Sequence, residues 1–431
     1  MSAPDLAPGV ATRLAAAQIL HSIFKTKRSL DECFAVYEGV SELPPVDQGF
    51  ARAMVTEALR QGGRLEEGFA GFVLRPLDQV GPDVRALLWL GTTQLWLLDT
   101  PPHAAVGETV AAAKAWHQTR KASGLVNAVL RRAADDRTVF DAASPETVWP
   151  DWVRLEFERS IGADGMRALA EAQMDRPRLH LTSTEPEQTA KALDGEIIAP
   201  GSVAVESGRV DALEGFAEGT WWVQDAAAAL AARILAPREG ELVFDLCAAP
   251  GGKTLQLAAA GARVVALDRS KKRLERLREN LARTGLIERV EVVQADVETW
   301  APPELADAVL LDAPCSALGT LRRHPEGAWI KSQKEIQGYP TVQAAFLRAA
   351  AAMLKPGARL IYCVCTPRQE EGRDVVDAVC REGLLQRQPI KPEECDGFKG
   401  CITEQGDVLT VPRGGARHDA FFISRLVSPS D

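Results

Sequence analysis

DLCAAPGGKT, at Asp245–Thr254, decides how the rest of the chain is read. An apolar strand stops at Cys247, the backbone turns through Ala248, Ala249, Pro250, Gly251 and Gly252, and a helix begins near Lys253. Glycines at such a turn let the backbone approach a ligand and point amides at its polar groups. Outward from this loop, from about Gly240, short β-rich runs alternate with helical stretches. The runs are LVFDLC, RVVALD, VEVVQAD, DAVLLDAPC and RLIYCVC, with helices starting near Lys253, Ser270 and Ile336. This alternation predicts an α/β fold with a parallel, doubly wound sheet of Rossmann-like type, whose ligands sit beyond the carboxyl ends of the strands. Near the C-terminus, DVLTVP and DAFFISRL are expected to pair antiparallel and close one edge.

A Gly-Gly turn alone serves backbone geometry as often as it serves a ligand. The ordered series of acids after it is more specific. A second strand ends at Asp268, about twenty residues after the loop begins, where nucleotide-binding folds place an acid for ribose hydroxyls. A third run ends at Asp296, suited to an adenine amino group. A Walker loop requires G-x-x-x-x-G-K-[ST], and Cys247 occupies the position of its first glycine. Adenosine carrying a sulfonium, as in S-adenosyl-L-methionine, therefore fits better than a triphosphate. The expected cofactor set is Cys247, Ala248, Ala249, Pro250, Gly251, Gly252, Lys253, Asp268, Asp296 and Asp312. Lys253 has two readings, a cofactor contact or a cap on the turn.

The fourth strand runs into Asp312-Ala313-Pro314-Cys315 and the fifth into Cys363-Val364-Cys365-Thr366-Pro367, which puts thiols at adjacent strand ends. Carbon 5 of a pyrimidine is a poor nucleophile, and an enzyme that methylates it must first add a thiolate at carbon 6. A buried cysteine is more often a small apolar filler; two of them beside a cofactor loop argue otherwise. Cys363 and Cys365 point to the same side by strand alternation, so spacing alone does not choose between them. Cys365 lies nearer the strand end. Asp312 is placed to hydrogen-bond the ring nitrogen and amine of cytosine, or to cap a helix. No D-P-P-[YF] or N-P-P-[YF] follows this strand, which argues against methylation of an exocyclic amine.

The remainder fits a chain of several domains. Its 431 residues exceed one compact core. From Val10 to about Asp136 apolar residues recur at three-and-four spacing, as in VATRLAAAQILHSIF and GFARAMVTEALRQGG, which predicts an all-α domain. Its breaks are expected at Pro44-Pro45, Gly62-Gly63, Pro76 and Pro101-Pro102. After the polar stretch 134–145 a connector carries helical Trp149–Gln173 and short strands at Arg178–Thr184 and Ser202–Ser207. The expected boundaries are 1–139, 140–235 and 236–431. The composition, 46% hydrophobic and 25% charged, is that of a globular protein. No apolar run approaches a membrane span, and the N-terminus lacks the pattern of a signal peptide, so the cytoplasm is the expected location. The eight cysteines lack C-x-x-C spacing, so neither a zinc site nor a disulfide framework is indicated, and no metal is expected. A net charge of −9 argues against indiscriminate coating of nucleic acid and leaves room for local basic patches.

Taken together, these motifs resemble the Sun/RsmB family of bacterial small-subunit ribosomal RNA cytosine-5 methyltransferases. The resemblance rests on DLCAAPGGKT, Asp268, Asp296, DAPCSALGTLRRHPE and the second cysteine motif, with HAAVGETV (His103–Val110) and LVNAVLRR (Leu125–Arg132) resembling the family's NusB-like helical domain. It implies that Cys365 is the nucleophile and that Cys315 helps remove the carbon-5 proton and release product. It also implies an RRM-like subdomain before the sheet, and 16S ribosomal RNA as partner of a chain read as a monomer. Two departures stand out: Val364-Cys365-Thr366 replaces T-C-S, and Asp419-Ala420-Phe421-Phe422 replaces D-G-F-F. Arg322, Arg323 and His324, then Arg413, Arg417 and His418, are candidate phosphate contacts around a flipped nucleotide, as are Arg131 and Arg132 on the helical domain. Arg269–Arg278 reads as an exposed helix face. The rival readings are cytosine-5 methylation of transfer RNA or another ribosomal site, and a non-catalytic RNA-binding assembly or antitermination factor; intact Cys315, Cys365 and Asp312 speak against the latter.

Overall fold

A computed structural model describes residues 6–74, 76–206, 208–415 and 417–430, which form two compact units. The first comprises 1–159, 169–175 and 321–333; the second comprises 160–168, 176–320 and 334–431.

Among its described residues the first unit is helical, with long helices at Pro8–Thr26, Pro45–Arg60, Pro82–Trp96, Pro102–Ala115 and Ser123–Asp135. Four of these open on a proline, whose fixed φ and missing N–H suit the first helical position. The prolines expected as breaks at 44–45 and 101–102 are these helix starts. The apolar stripes meet in one core containing Ile19, Leu20, Met54, Leu59, Leu87 and Leu130. The segment Leu321–Gln333, far downstream in sequence, belongs to this unit. Its Trp329 packs edge-on against Trp89 with ring centroids 4.7 Å apart and donates its indole N–H to the Leu59 carbonyl at 2.8 Å. The helix expected over Trp149–Gln173 runs Asp151–Met174 and breaks at Gly162, where φ is +73°.

The second unit holds two sheets. The smaller has strands β1 (Leu179–Ser183), β2 (Glu196–Ala199), β3 (Ser202–Val205) and β4 (Trp221–Val223) in the antiparallel order β2-β3-β1-β4. With helix Pro186–Ala192 between β1 and β2, this is an RRM-like arrangement whose second helix is reduced to the short 3₁₀ turn Val210–Ala212. Strands β1 and β3 fall where expected, with Ser207 outside the described residues. Strands β2 and β4 were not expected: β2 is largely exposed and β4 is three residues long, so neither shows an alternating pattern.

The larger, eight-stranded sheet contains β5 (Leu242–Leu246), β6 (Arg263–Asp268), β7 (Val290–Gln294), β8 (Ala306–Asp312), β9 (Leu354–Val364), β10 (Gln386–Arg387), β11 (Val408–Thr410) and β12 (Phe421–Val427). Its order is β10-β12-β9-β8-β5-β6-β7, with β11 also on β12. Strands β5 to β9 are parallel and β12 lies antiparallel to β9. The expected β11–β12 pair forms, but β12 is inside the sheet and β10 and β11 carry its edge. Both faces are buried, which accounts for the continuous apolar runs. Val243, Leu310 and Ile361 share one core with helix Ala226–Leu235; Phe244, Leu311 and Tyr362 share the other with helix Tyr339–Ala351. Helix Ala226–Leu235 thus packs on the larger sheet although it lies within 140–235 in sequence. No described helix is long and apolar enough to cross a membrane.

Candidate active site

The loop after β5 is held by its neighbours. Cys247 adopts φ +64°, which turns the chain; the Ala248 amide then donates to the Leu267 carbonyl at 3.0 Å and the Ala249 amide to Asp268 Oδ2 at 3.2 Å. Asp268 also accepts from the Ser270 amide at 2.9 Å and pairs with Arg273 at 3.2 Å. Arg273 donates in turn to the Ala249 carbonyl, and Asn280 to that of Pro250. Gly251, at φ +110°, caps helix Gly252–Ala259; a Cβ there would lie 2.2 Å from Leu277 Cδ1. A side chain fits neither the φ nor the space.

Beneath the loop Thr254 donates to Asp245 Oδ2 at 2.5 Å, while Asp245 Oδ1 is buried without a partner. Burial pushes the Asp245 carboxyl up to about 7 against the opposing Thr254 hydrogen bond and Lys253 charge. Lys253 takes a partner that neither sequence reading named: its Nζ donates to Asp312 Oδ2 at 2.7 Å and lies 5.3 Å from the Phe421 ring centre. Burial pulls its ammonium down, and the charge of Asp312 with those of Cys363 and Asp245 more than reverses this.

Beyond the strand ends lies a cavity of about 550 Å³. Asp268, Asp296, Asp312, Cys247, Cys315 and Cys365 line it, which brings together the expected acids and both motif thiols. Ala248, Ala249, Pro250, Gly251, Gly252 and Lys253 form the loop behind that wall. Arg269 and Arg273 also face the cavity, so the stretch expected as an exposed helix face contributes its first turn to the site. Tyr339 closes part of another side. These three carry no motif of their own.

Cys315 Sγ and Cys365 Sγ are 3.2 Å apart. The hydrogen bond with Cys365 pushes the Cys315 thiol well up from its ordinary value, and burial adds to it. Cys363 lies one strand pair deeper, fully buried, with its thiol 3.6 Å from Asp312 Oδ1; burial and that carboxylate raise it. The alternation that left the two cysteines equivalent in sequence therefore ends with Cys365 on the cavity and Cys363 behind it.

Backbone bonds register the two loops: the Ala313 amide donates to the Cys363 carbonyl and the Gly319 amide to that of Cys365, both at 3.0 Å. Ser316 Oγ donates to Thr366 Oγ1 at 3.0 Å, so threonine after the cysteine supplies the hydroxyl that serine would. At the second departure, the Ala420 amide donates to the Gly319 carbonyl at 3.0 Å, a bond indifferent to the side chain.

The candidate phosphate contacts are divided between the two units. Arg322 is buried within the first unit, where its carbonyl accepts from Arg60 at 2.7 Å, and its side chain is not presented to solvent as expected. Arg323 and His324 are exposed there, as are Arg131 and Arg132 on helix Ser123–Asp135. In the second unit Arg413 is exposed and Arg417 half-buried, while His418 is buried against Phe398 with Nδ1 2.9 Å from the Asp419 carbonyl. Among the described residues no group of three or more His, Cys, Asp or Glu is gathered as a metal site.

This sheet and its strand-end site define a methyltransferase of Rossmann-like fold. The fold is similar to that of PH0851 (TM-score 0.76, 22% identity, 99% of this chain and 100% of that one). It is also similar to NSun6 from Pyrococcus horikoshii, solved with SFG (TM-score 0.56, 19% identity, 65% of this chain and 99% of that one). The chain belongs to the 16S rRNA methyltransferase RsmB/F family: residues 232–427 match that family's model and residues 10–135 that of the NusB family. It is 34% identical over 432 residues to the ribosomal RNA small subunit methyltransferase B of Xanthomonas campestris pv. campestris, covering 92% of this chain and 98% of the relative.

Proposed function

We propose that the protein transfers a methyl group from S-adenosyl-L-methionine to carbon 5 of a cytosine in 16S ribosomal RNA, through a transient bond between Cys365 and carbon 6. The observation that carries this reading is the pair of thiols 3.2 Å apart on the wall of a cavity that also holds Asp268, Asp296 and Asp312.

The donor set suits the cofactor. Carboxylates accept hydrogen bonds, which the hydroxyls and amine of adenosine donate and the oxygens of a triphosphate do not. Asp268 is assigned to the ribose hydroxyls, Asp296 to the adenine amine, and the loop Cys247–Lys253 to the amino-acid end. The bound cofactor supplies an electrophilic methyl group.

Asp312, oriented by Lys253, accepts from the amine of cytosine and from the ring nitrogen once that nitrogen has taken a proton from solvent; the protonated ring is electron-poor at carbon 6. Cys365 gives up its proton to solvent and forms the sulfur–carbon bond as thiolate; the displaced electron pair makes carbon 5 nucleophilic toward the methyl group that the cofactor would supply, its neutral thioether, S-adenosylhomocysteine, being the leaving group. Cys315, which the Cys365 hydrogen bond and burial keep as a neutral thiol, helps remove the carbon-5 proton by orienting a water that carries it to solvent; the electrons of that C–H bond restore the double bond, expel the Cys365 thiolate, and the ring nitrogen returns its proton to solvent. The helical NusB-like part, 1–139, is assigned to RNA binding, 140–235 to a connector with an RRM-like subdomain, and 236–431 to methyl transfer. Arg323, His324, Arg413, Arg417, Arg131 and Arg132 remain the proposed phosphate contacts.

The test is a pair of variants assayed on 16S ribosomal RNA with nucleoside mass spectrometry. Cys365→Ala should abolish 5-methylcytosine. Cys315→Ala should accumulate a protein–RNA adduct that survives a denaturing gel and disappears in the double variant. Methylated product from Cys365→Ala, or product methylated at an amine or ribose, overturns the reading.

A further inference from the structure

One buried acid outside the mechanism touches both thiol-bearing loops. Glu371 is fully buried, six residues after Cys365. Its Oε2 accepts from the Ser316 amide at 2.8 Å and from Gln343 Nε2 at 3.0 Å, and its Oε1 from Arg368 Nη1 at 2.7 Å. Its own carbonyl accepts from the Tyr362 hydroxyl at 2.6 Å. Gln343 Nε2 also donates to the Pro314 carbonyl at 3.0 Å, so the residues on either side of Cys315 are both held by this group. On the far side Arg368, 3% exposed and also 3.7 Å from Glu370, reaches the Ile336 carbonyl and stays in the Cys365 loop.

We infer that Glu371 is a positioning residue for the catalytic pair: its carboxylate ties the turn carrying Cys315 to the turn after Cys365 and sets the distance between the two sulfurs. The inference rests on the two-thiol reading above. A buried amide such as that of Ser316 needs an acceptor, and a carboxylate accepting on both oxygens is the side chain that meets Ser316, Gln343 and Arg368 at once. Gln at this position keeps the shape but turns an NH₂ toward a donor on one side, so one of the two loops is released. The charge of Glu371 also adds to the rise of the Cys315 thiol, after the contributions of Cys365 and burial. A purely structural ion pair with Arg368 would affect stability and leave the sulfur spacing alone.

The test compares the full-length chain with Glu371→Gln, well below either melting temperature. Phenylarsine oxide, which bridges two neighbouring thiols, is titrated and the protection of Cys315 and Cys365 from alkylation is read by peptide mass spectrometry. The wild-type chain should protect both cysteines together. E371Q should need about ten-fold more arsenical and lose roughly 10–100-fold in kcat, the size expected for misplacing reacting groups by an ångström, with the KM values for RNA and cofactor within about three-fold. Equal bridging by E371Q, an unchanged kcat, or a wild-type chain that does not bridge this pair overturns the inference. Bridging that responds to E371Q in a protein making no 5-methylcytosine instead overturns the proposed function and leaves the positioning role standing. Should E371Q not fold, Gln343→Leu, which removes the donor to Pro314 and Glu371, is measured the same way and should weaken bridging by about three-fold or more; no change there is equally fatal.

Discussion

Lys253 and Asp312 form an ion pair of unequal burial: the bond is 2.7 Å, with 9% of the lysine side chain exposed and 32% of the aspartate's. Breaking it from the two ends should therefore give different results. Lys253→Met leaves a carboxylate that the cavity's water can solvate, at a cost of roughly 1–2 kcal/mol. Asp312→Ala strands a buried ammonium, at roughly 3–5 kcal/mol. Urea denaturation of both variants checks the order, and equal losses would show that the pair's partners are equally solvated.

Asp245 should make stability fall with pH. Its folded value of about 7 lies above the unfolded carboxylate value near 4, so the folded chain holds a proton that the unfolded chain gives up. That contribution is complete below the unfolded value and is lost as pH rises through about 7. Asp245→Asn cannot titrate, so between pH 5 and 8 it should gain on the wild-type chain by roughly 2–3 kcal/mol. A stability difference that stays flat over that range would refute the shift.

Gly251 and Gly252 are adjacent but not equivalent. Ala at 251 must adopt φ +110° and displace Leu277, whereas a Cβ at 252 meets the Gln224 side chain at 3.2 Å. Gly251→Ala should cost roughly 2–4 kcal/mol and Gly252→Ala about 1 kcal/mol or less. Thermal melts decide this, and calorimetry with S-adenosylhomocysteine should show affinity falling with Gly251→Ala.

Neighbouring arginines should separate in the same way. Arg323→Ala and Arg413→Ala should each weaken RNA binding and lower the slope of log affinity against log salt by about 1. Arg322→Ala should lower the melting temperature, because its side chain is buried. Binding isotherms at several salt concentrations check the first; a salt slope unmoved by both exposed variants would remove these residues from the interface.

What could be read from the amino-acid order follows from where each residue's role originates. Asp268, Asp312 and Cys365 sit at or beside the ends of continuous apolar runs, and a parallel sheet brings such ends to one edge whatever the details. Cys363 and Cys365 share a face, so only the depth of each in the finished strand tells them apart. Glu371 and Ser316 are 55 residues apart and Arg273 reaches back 24 to the loop, through contacts that loops make after folding and that no local spacing records. Arg322 and Arg323 look alike in sequence; the packing of Leu321–Gln333 in the helical unit buries one and exposes the other.

That same segment, leaving the second unit directly after the Cys315 turn and returning before Tyr339, makes the two halves a single heritable piece. Cutting away 1–139 would strip Trp329 of Trp89 and Leu59 and take from Trp329 and Ile330 the helical core they pack against. The NusB-like part is thus not a module that can be exchanged at one junction. A lineage that lost it would also have to rewrite the thirteen residues of Leu321–Gln333, the stretch that follows the catalytic turn.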